Sequence, residues 1–359
     1  MSRPTLVQVD LAAVEHNLQI ARTCAPASQV VACIKADAYG HGAPEVAQRL
    51  DPHTDLFGVA SLDEALALDA LQLKSNFLLM EGCFCEQEQR EALARGFDLV
   101  LHNRQQLAWI GSADPAQTTS RLWLKLETGM HRLGFPPAQV SGLLDQLGDS
   151  WKERAVLMSH FASAEETDPQ PTLDQLARFD SAAAGFDRPR SLANSAAILA
   201  WPQSHQQFVR PGFMLYGNSP FTGEAPAQRN LRPAMRFSSQ VIALHQLQPG
   251  EGVGYNLRWR AQRPSRIAVV AAGYGDGYPR TARDGTPVLV KGQRALLAGT
   301  VSMDMLAVDV TDLPVVELGD EVELWGPDLA ATEVAAFNEM SAYELFTRLP
   351  VRPRCLHLT

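Results

Sequence analysis

The amino-acid sequence predicts a closed (β/α)8 barrel of the TIM type followed by a mainly β domain. Over the first 216 residues, short apolar segments alternate with amphipathic helical patterns, which is typical of a parallel sheet. Eight such segments favour a closed barrel over an open doubly wound sheet, whose glycine-rich nucleotide-binding turn is also missing. The predicted strands are residues 30–35, 56–60, 77–80, 98–101, 121–126, 155–159, 190–193 and 208–215.

Helical patterns fill the gaps between these strands. The clearest one starts at residue 11, directly after Asp10, whose carboxylate can cap the first turn. The predicted helices are residues 11–24, 44–50, 62–73, 86–95, 104–110, 137–147, 173–184 and 195–201. Helices in these gaps would form the outer ring of the barrel.

The pattern changes after Gly217, where a stretch rich in proline and glycine leads into strand-like segments with few helices. We expect the barrel to span residues 9–221 and the mainly β domain residues 222–359, with residues 1–8 pairing with that second domain. The strands predicted there are residues 235–247, 266–272, 287–290, 295–301, 306–310 and 321–325, and residues 331–346 are predicted to be helical.

Composition excludes several functional classes. A formal charge of −9 argues against a nucleic-acid partner. The N-terminus lacks an apolar signal core and no apolar run reaches 18 residues, so we expect a cytoplasmic protein without a membrane partner. The five cysteines are odd in number, and Cys83 and Cys85 have no second pair or histidines nearby, so we expect no metal site.

Lys35 stands at the end of the first predicted strand, where barrel enzymes place their chemistry. A lysine at a strand end can simply reach solvent. The alternative is a partly desolvated amine that forms a Schiff base, and Tyr39 in the following glycine-flanked turn adds a hydroxyl to the same rim. We favour the chemical role.

Polar residues also follow the later strands. Arg132 comes after strand five, His160 after strand six, Asn194 and Ser195 after strand seven, and Arg210 lies in strand eight. Individually, His160 could be a core histidine and the arginines could belong to structural ion pairs. Together they predict a pocket for a flat aromatic phosphate.

Each residue type suits one part of such a molecule. Histidine can stack on the ring, and Arg210 can hydrogen-bond a ring nitrogen while keeping it unprotonated. Asn194 and Ser195 begin a helix whose free N–H groups suit a phosphate. Pyridoxal 5′-phosphate, held covalently by Lys35, satisfies all of these features.

Six sequence blocks resemble the alanine racemase family of fold-type III pyridoxal-phosphate enzymes. They agree with the family pattern in order and spacing across both predicted domains. The blocks are residues 35–42, 128–134, 209–217, 253–255, 273–280 and 301–305.

The resemblance implies two catalytic bases. Lys35 would hold the cofactor and act on one face of the substrate Cα, and Tyr255 would act on the other, since racemisation removes a proton from one face and returns one to the opposite face. A tyrosine of ordinary pKa, about 10, is a poor base. By resemblance, a network through His160 and Arg210 assists it.

The resemblance also implies a homodimer with shared active sites, because Tyr255 would enter from the partner subunit. Met303 and Asp304 of the partner would meet the substrate carboxylate, with Tyr274 nearby. Arg132 would contact the cofactor phenolic oxygen and the substrate. The phosphate would be held by Tyr39, Ser195, Gly212, Phe213 and Tyr343. Lys125 matches a lysine that many members carry as a carbamate, and an unmodified Lys125 paired with an acid is the alternative.

The implied activity is interconversion of L- and D-alanine, for peptidoglycan or for alanine catabolism. Thr300 replaces an arginine common in the family, and Asn256 replaces a glycine after Tyr255. A broader racemase that accepts serine is one alternative. A pyridoxal-phosphate decarboxylase would need a cysteine and acids from the β domain at its site, and a non-catalytic cofactor carrier would not need residues 222–359.

Overall fold

The structure, a computed structural model, describes residues 3–111, 113–350 and 352–359. Strand β1 (Leu6–Asp10) precedes a closed barrel of eight parallel strands, in which the first pairs with both the second and the last. The barrel strands are β2 (Gln29–Cys33), β3 (Leu56–Val59), β4 (Asn76–Leu79), β5 (Asp98–Leu101), β6 (Leu122–Lys125), β7 (Ala155–Met158), β8 (Arg190–Ser191) and β9 (Phe208–Val209). The predicted fold class is therefore confirmed.

Large apolar side chains fill the barrel interior. Trp123 and Phe208 are buried there with residues from β2, β3, β4, β5 and β7, and their rings lie 4.7 Å apart. At the amino-terminal end of the barrel, Asp98 accepts hydrogen bonds from the Trp123 indole at 3.0 Å and the Arg121 guanidinium at 2.8 Å. Because this end is filled, the opening lies at the carboxyl ends of the strands.

Helices surround the barrel where the pattern predicted them. The first is capped as expected, since the Asp10 carboxylate accepts the N–H of Ala13 at 2.9 Å. The helices in this half are Leu11–Cys24, Ala43–Leu50, Leu62–Asp69, Glu86–Ala94, Arg104–Ile110, Val140–Gln146, Asp149–Glu153, Gln170–Ala183 and Ser195–Ala200. Within the described ranges, no helix combines the length and apolar character needed to span a membrane.

Strand eight is shorter than the predicted 208–215, and this corrects the position of one site residue. The strand ends at Val209, so Arg210 follows it instead of lying within it. Pro211 has no N–H to donate to a sheet, and the chain turns into a short 3-10 helix, Phe213–Tyr216. The Arg210 N–H still bonds to the Ala193 carbonyl at 2.9 Å, which keeps the residue at the rim.

The remaining strands form an eight-stranded sheet and a small hairpin. The strands are β10 (Met235–Leu247), β11 (Gly252–Val253), β12 (Trp259–Arg260), β13 (Ser265–Val270), β14 (Pro287–Val290), β15 (Gln293–Leu297), β16 (Leu306–Asp309), β17 (Glu321–Trp325) and β18 (Arg354–Leu358). The sheet order is β13-β16-β15-β14-β17-β10-β1-β18, so the N-terminal strand β1 lies between two strands of the second half of the chain. Of residues 1–8, the first two lie outside the described residues.

The predicted helix over residues 331–346 is wrong in one respect, because the structure splits it. The helices are Ala331–Phe337 and Ala342–Thr347. Glu339 between them has a left-handed φ of 54°, and the Ser341 hydroxyl accepts the N–H of Tyr343 at 3.3 Å to begin the second helix. The break places Tyr343 in the first turn of a new helix that faces the barrel rim.

Candidate active site

The backbone makes a left-handed helical turn directly after β2. The turn spans Lys35–Gly40, and Ala36, Asp37, Ala38 and Tyr39 all have φ between 52° and 55°. Left-handed backbone costs a non-glycine residue about 1–2 kcal/mol, so four in succession require strong support from their surroundings. The turn carries both Lys35 and Tyr39.

Three side chains stabilise this turn by hydrogen bonds to the backbone. The Glu64 carboxylate accepts the N–H of Ala36 at 2.8 Å and that of Ala60 at 2.7 Å, which ties the turn to β3. The Asp37 side chain accepts the N–H of Ala43 at 2.7 Å and so begins the next helix. His41 Nδ1 lies 2.9 Å from the Tyr39 carbonyl oxygen. These contacts define the direction in which the backbone leaves Lys35.

A cavity of about 530 Å³ opens at the carboxyl ends of the strands, beside this turn. This volume is in the range of cofactor and small-molecule sites. The structure brings together eleven of the residues predicted for the site. Its lining includes Lys35, Tyr39, Lys125, Arg132, His160, Asn194, Ser195, Arg210, Gly212, Phe213 and Tyr343.

Arg210 lies on the floor of this cavity and is 2% exposed. Its guanidinium donates to the Ser191 hydroxyl at 2.5 Å and to the Ser159 and Leu192 carbonyls at 2.8 and 3.2 Å. Among the described residues no carboxylate pairs with it, and its buried Nε has no hydrogen-bond partner. Burial lowers the pKa of Arg210 to about 10, so the group stays charged at neutral pH.

His160 is coupled to this arginine. Its Nδ1 accepts a hydrogen bond from Arg210 Nη2 at 3.2 Å, so the ring proton belongs on Nε2. Burial, and then the positive charge of Arg210, hold the pKa of His160 well below its ordinary value. The imidazole is therefore neutral at pH 7 and presents an N–H donor.

A polar cradle, formed around Ser195 and Gly212, lines another part of the cavity. The Ser195 hydroxyl accepts the N–H groups of Gly212 and Met214 at 3.0 and 3.2 Å, which leaves its own hydrogen free to donate. A Cβ at Gly212 would lie 2.8 Å from the Tyr39 hydroxyl oxygen, so the glycine keeps this space open. The side-chain oxygen Oδ1 of Asn194 is used locally, because it caps the helix by accepting the N–H of Ala197.

Tyrosine rings form one wall of the cradle. Tyr343 stacks on Phe213 at 4.1 Å, and its ring lies 5.6 Å from that of Tyr39. Burial raises the pKa of Tyr39 well above its ordinary value and also raises that of Tyr343. Both phenols therefore remain protonated and can donate a hydrogen bond to an anion.

The lining carries an excess of positive charge. Lys35, Lys125, Arg132 and Arg210 face one acid, Glu81. Burial, followed by repulsion from Arg210, lowers the pKa of Lys125 to about 8. Among the described residues no carboxylate lies within 4.0 Å of the Lys125 amine. Such a cavity favours an anionic ligand.

Four predicted residues lie elsewhere. Tyr255, Tyr274, Met303 and Asp304 belong to the second half of the chain and do not line the cavity in the part of the chain that is described. Tyr255 is 67% exposed, Met303 53% and Tyr274 38%, although large apolar and aromatic side chains usually lose most of their surface on folding. One subunit thus brings the barrel residues together and leaves these four at its surface.

Tyr255 sits at the tip of a small hairpin in a strained loop. Strands β11 and β12 pair through only two residue pairs, and the loop between them contains φ values of 60° at Asn256 and 48° at Leu257. Asparagine tolerates left-handed backbone better than most residues. This explains how Asn256 can occupy a position where the family commonly has glycine.

Some lining residues were not predicted from the sequence. Cys33, Met80, Glu81, Leu133 and Met158 all line the cavity. A signal was available for three of them. Cys33 precedes Lys35 by two residues, which puts both on one face of the predicted strand 30–35, and Met80 and Glu81 directly follow the strand Asn76–Leu79.

The cavity fits pyridoxal phosphate on the basis of its donors. The unpartnered Nε of Arg210 is a buried donor that lacks an acceptor, and a pyridine nitrogen would satisfy it. The Ser195 hydroxyl and the space above Gly212 suit a phosphate, and Lys35 lies in the same lining.

Comparisons with known proteins agree across the whole chain. The model of the alanine racemase N-terminal domain matches residues 9–220, and that of the C-terminal domain matches residues 234–356. The biosynthetic alanine racemase of Pseudomonas aeruginosa is 46% identical over 355 residues, 98% of each chain. The alanine racemase of Halorhodospira halophila is 44% identical over 356 residues, 99% of this chain and 98% of the relative.

Solved structures give the same result. The crystal structure of the Pseudomonas aeruginosa biosynthetic alanine racemase superposes with a TM-score of 0.95 at 44% identity, covering 99% of this chain and 100% of that chain. The alanine racemase of Acinetobacter baumannii gives 0.94 at 38% identity, with the same coverage. Because both domain models match and near-full-length relatives share 44% to 46% of its residues, the chain belongs to the alanine racemase family.

Proposed function

We propose that this chain is an amino-acid isomerase that interconverts L-alanine and D-alanine with pyridoxal 5′-phosphate as its cofactor. One observation carries the proposal. Lys35 lines a cavity with an excess of positive charge, and the buried Nε of Arg210 in that cavity lacks a hydrogen-bond partner. Tyr255, the second expected base, does not line this cavity and is exposed to solvent. An enzyme that works on both faces of one carbon atom needs two such groups on opposite sides.

Residues of the barrel would hold the cofactor. Lys35 would bind it covalently, Arg210 would face its ring nitrogen, and His160 and Arg132 would contact the ring and its phenolic oxygen. The phosphate would be held by Tyr39, Asn194, Ser195, Gly212, Phe213 and Tyr343. When bound, pyridoxal phosphate serves as the electron sink that makes the α-hydrogen of an amino acid acidic.

The two bases would exchange roles with the direction of the reaction. Lys35 would remove the α-hydrogen of one enantiomer while Tyr255 returns a proton to the opposite face, and the reverse direction would use the same groups in reversed roles. The neutral His160, with its donor on Nε2, can hydrogen-bond the Tyr255 oxygen and so stabilise its deprotonated form. Arg210 fixes the tautomer of His160 through Nδ1.

The active site would be completed by a second copy of the chain. Tyr255, Tyr274, Met303 and Asp304 would enter the barrel cavity of the partner, where Met303 and Asp304 would meet the substrate carboxylate. The exposure of three of these residues in one subunit supports a homodimer, because such a surface gains stability when it is covered.

Lys125 is proposed to carry a carbamate. Its pKa of about 8 leaves part of the amine neutral at physiological pH, and the neutral amine is the form that reacts with carbon dioxide. The carbamate would place a negative charge between Arg132 and Arg210. Carbon-13 NMR of enzyme in labelled bicarbonate, with Lys125→Met as control, should show a carbamate signal that the variant lacks. A signal in neither protein would favour an unmodified Lys125.

We place the enzyme in the cytoplasm, supplying D-alanine for peptidoglycan. The biosynthetic alanine racemase of Pseudomonas aeruginosa, 46% identical, supports this role over a catabolic one. The comparisons do not favour the alternatives: both domain models match, whereas a cofactor carrier would need only the barrel, and the near-full-length relatives described above are alanine racemases.

The direct test incubates the enzyme and pyridoxal phosphate with L-alanine in heavy water. D-alanine should accumulate towards an equal mixture, with one deuterium at Cα. Alanine that remains L and unlabelled, or release of carbon dioxide, would contradict the proposal. Parallel incubation with L-serine measures whether the pocket accepts the larger side chain.

Subunit complementation tests the shared site. Lys35→Ala and Tyr255→Phe chains, each nearly inactive alone, are mixed and allowed to exchange subunits. If Tyr255 acts on the partner's barrel, each mixed dimer contains one intact site, and the mixture should recover about a quarter of the native activity. No recovery, with exchange verified by mass, would mean that both residues act within one chain.

A further inference from the structure

The hairpin that carries Tyr255 needs an anchor outside itself. A hairpin with only two residue pairs is marginal on its own, and two consecutive left-handed residues follow Tyr255. Within the loop the described hydrogen bond is that of the Leu257 N–H to the Gly254 carbonyl at 3.2 Å. A mobile tip would place a catalytic hydroxyl poorly.

Arg258, three residues after Tyr255, provides that anchor. Its guanidinium forms a two-point pair with Asp284, with Nε to Oδ2 at 3.1 Å and Nη2 to Oδ1 at 2.9 Å. The same Nη2 also donates to the carbonyls of Ala282 and Gly299 at 3.2 Å each. Three chain segments therefore meet at one guanidinium.

Asp284 completes the connection. Its Oδ1 accepts the N–H of Gly299 at 2.7 Å, and Gly299 leads directly into the segment that contains Met303 and Asp304. A Cβ at Gly299 would lie 2.7 Å from the Val253 carbonyl oxygen, so the two segments are already in contact. The ion pair thus joins the Tyr255 loop to the segment proposed to meet the substrate carboxylate.

We propose that Arg258 and Asp284 are positioning residues that set the distance between Tyr255 and the substrate-carboxylate segment, so that both reach one substrate in the partner's barrel. This inference rests on the proposed function. The pair is 40% and 31% exposed, and exposed ion pairs contribute little to folding stability. Its removal should therefore affect catalysis and leave the fold intact.

The other segment has its own support, which predicts where the effect will appear. Arg3 and Arg352 both pair with Asp276, and Arg3 also donates to the Asp304 carbonyl at 2.6 Å. Loss of the Arg258 anchor should release Tyr255 more than Asp304. The turnover number should fall while the Michaelis constant for alanine changes little.

The experiment compares Arg258→Met, Asp284→Asn and the double variant as holoenzymes. Arg263→Met, which breaks an exposed pair with Asp312 on the same domain, is the matched control. We expect kcat to fall about 10- to 100-fold in the first two, because small misplacements of a catalytic group have effects of that size. The double variant should be no worse than either single one, and Arg258→Lys, which cannot form the two-point pair, should recover only part of the loss.

Isotope effects separate positioning from simple damage. The measurement is the deuterium kinetic isotope effect on kcat with Cα-deuterated L- and D-alanine. Slower proton transfer at Tyr255 should raise this isotope effect for the enantiomer whose α-hydrogen faces Tyr255, because removal of that hydrogen then limits the rate. It should lower the isotope effect for the other enantiomer, because the return of a proton by Tyr255 then limits the rate. A fall in kcat with both isotope effects unchanged would mean fewer active molecules and would overturn the inference, as would unchanged kcat. Tyr255→Phe is the reference variant. If Tyr255→Phe leaves kcat unchanged, the proposed function fails. If Tyr255→Phe lowers kcat but Arg258→Met does not, only this inference fails.

Discussion

The barrel rim and the exposed face of the second domain, the two halves of the proposed site, hold their functional side chains in opposite ways. At the rim, Arg210 is buried and His160 is half-buried, the two are hydrogen-bonded to each other, and both have lowered pKa values. On the other face, Tyr255 and Met303 project into solvent from loops that are held from behind by ion pairs. The rim is organised within a single chain, whereas the exposed face would, under the proposed function, be completed by a second copy.

Because of this difference, substitutions in the two regions should have different effects on activity and on folding stability. Changes at the rim alter a buried network and should affect cofactor binding, activity and folding together. Changes on the exposed face should affect activity while folding and cofactor binding persist, because those side chains make few contacts within their own subunit. The four predictions below test this contrast.

Lys35→Ala should have the largest effect. Without the amine the cofactor loses its covalent attachment and one of the two bases disappears, so racemisation should fall about 10⁴-fold or more. Absorbance of bound cofactor after gel filtration and a D-alanine assay measure both losses. The exposed Lys74→Ala is the control, and retained activity in Lys35→Ala would remove the rim from the chemistry.

Tyr255→Phe should separate activity from binding. Removing the hydroxyl should lower kcat about 10²- to 10³-fold, the usual contribution of one acid–base group. Cofactor content and melting temperature should match the native enzyme, since the side chain is mostly exposed in its own subunit. If the variant lost its cofactor or unfolded at a lower temperature, the contrast between the two regions would fail.

The pH dependence of stability should come from His41, which is buried beside the left-handed turn that carries Lys35 and Tyr39. Burial lowers the pKa of His41 to about 4, so between that value and the ordinary 6.5 the unfolded chain binds a proton that the folded chain excludes. The free energy of unfolding should therefore be highest above pH 6.5 and should fall as the pH drops, by about 3 kcal/mol at pH 4.

Urea denaturation at several pH values measures this loss. His41→Asn should show a shallower dependence, whereas the exposed His245→Asn should follow the native curve. Equal slopes for the native enzyme and His41→Asn would assign the acid sensitivity to other groups.

Gly212→Ala should have the smallest effect of the four, and that effect should be largest in the affinity for the cofactor. The added methyl group would approach the Tyr39 hydroxyl oxygen to 2.8 Å, so we expect the affinity for pyridoxal phosphate to fall about tenfold. Gly142→Ala is the matched control, because nothing lies within 4 Å of its added Cβ. That helical substitution should leave affinity unchanged and stabilise the protein by about 0.5–1 kcal/mol. Equal affinity in both variants would show that the cradle does not confine the phosphate.

Much of the fold could be predicted from local patterns. The predicted bounds of the strand over residues 235–247 and of the helix over residues 11–24 agree with the structure at both ends. Hydrophobic periodicity and the Asp10 cap depend only on residues that are close together in the sequence. The helix over residues 331–346 was predicted unbroken, because its interruption depends on the left-handed Glu339. Nothing about a glutamate predicts that conformation.

The site divides in the same way. The sequence alone placed Lys35, His160 and Arg210 in or next to barrel strands, and so predicted that they meet at one rim, although it extended the eighth strand past Arg210. Only the tertiary structure decided that four non-glycine residues after Lys35 form a left-handed turn, and that Arg258 meets Asp284 across 26 positions. The difference follows from the distance along the chain over which each interaction acts. Periodicity and capping depend on residues a few positions apart, whereas strained backbone and ion pairs depend on contacts between distant segments.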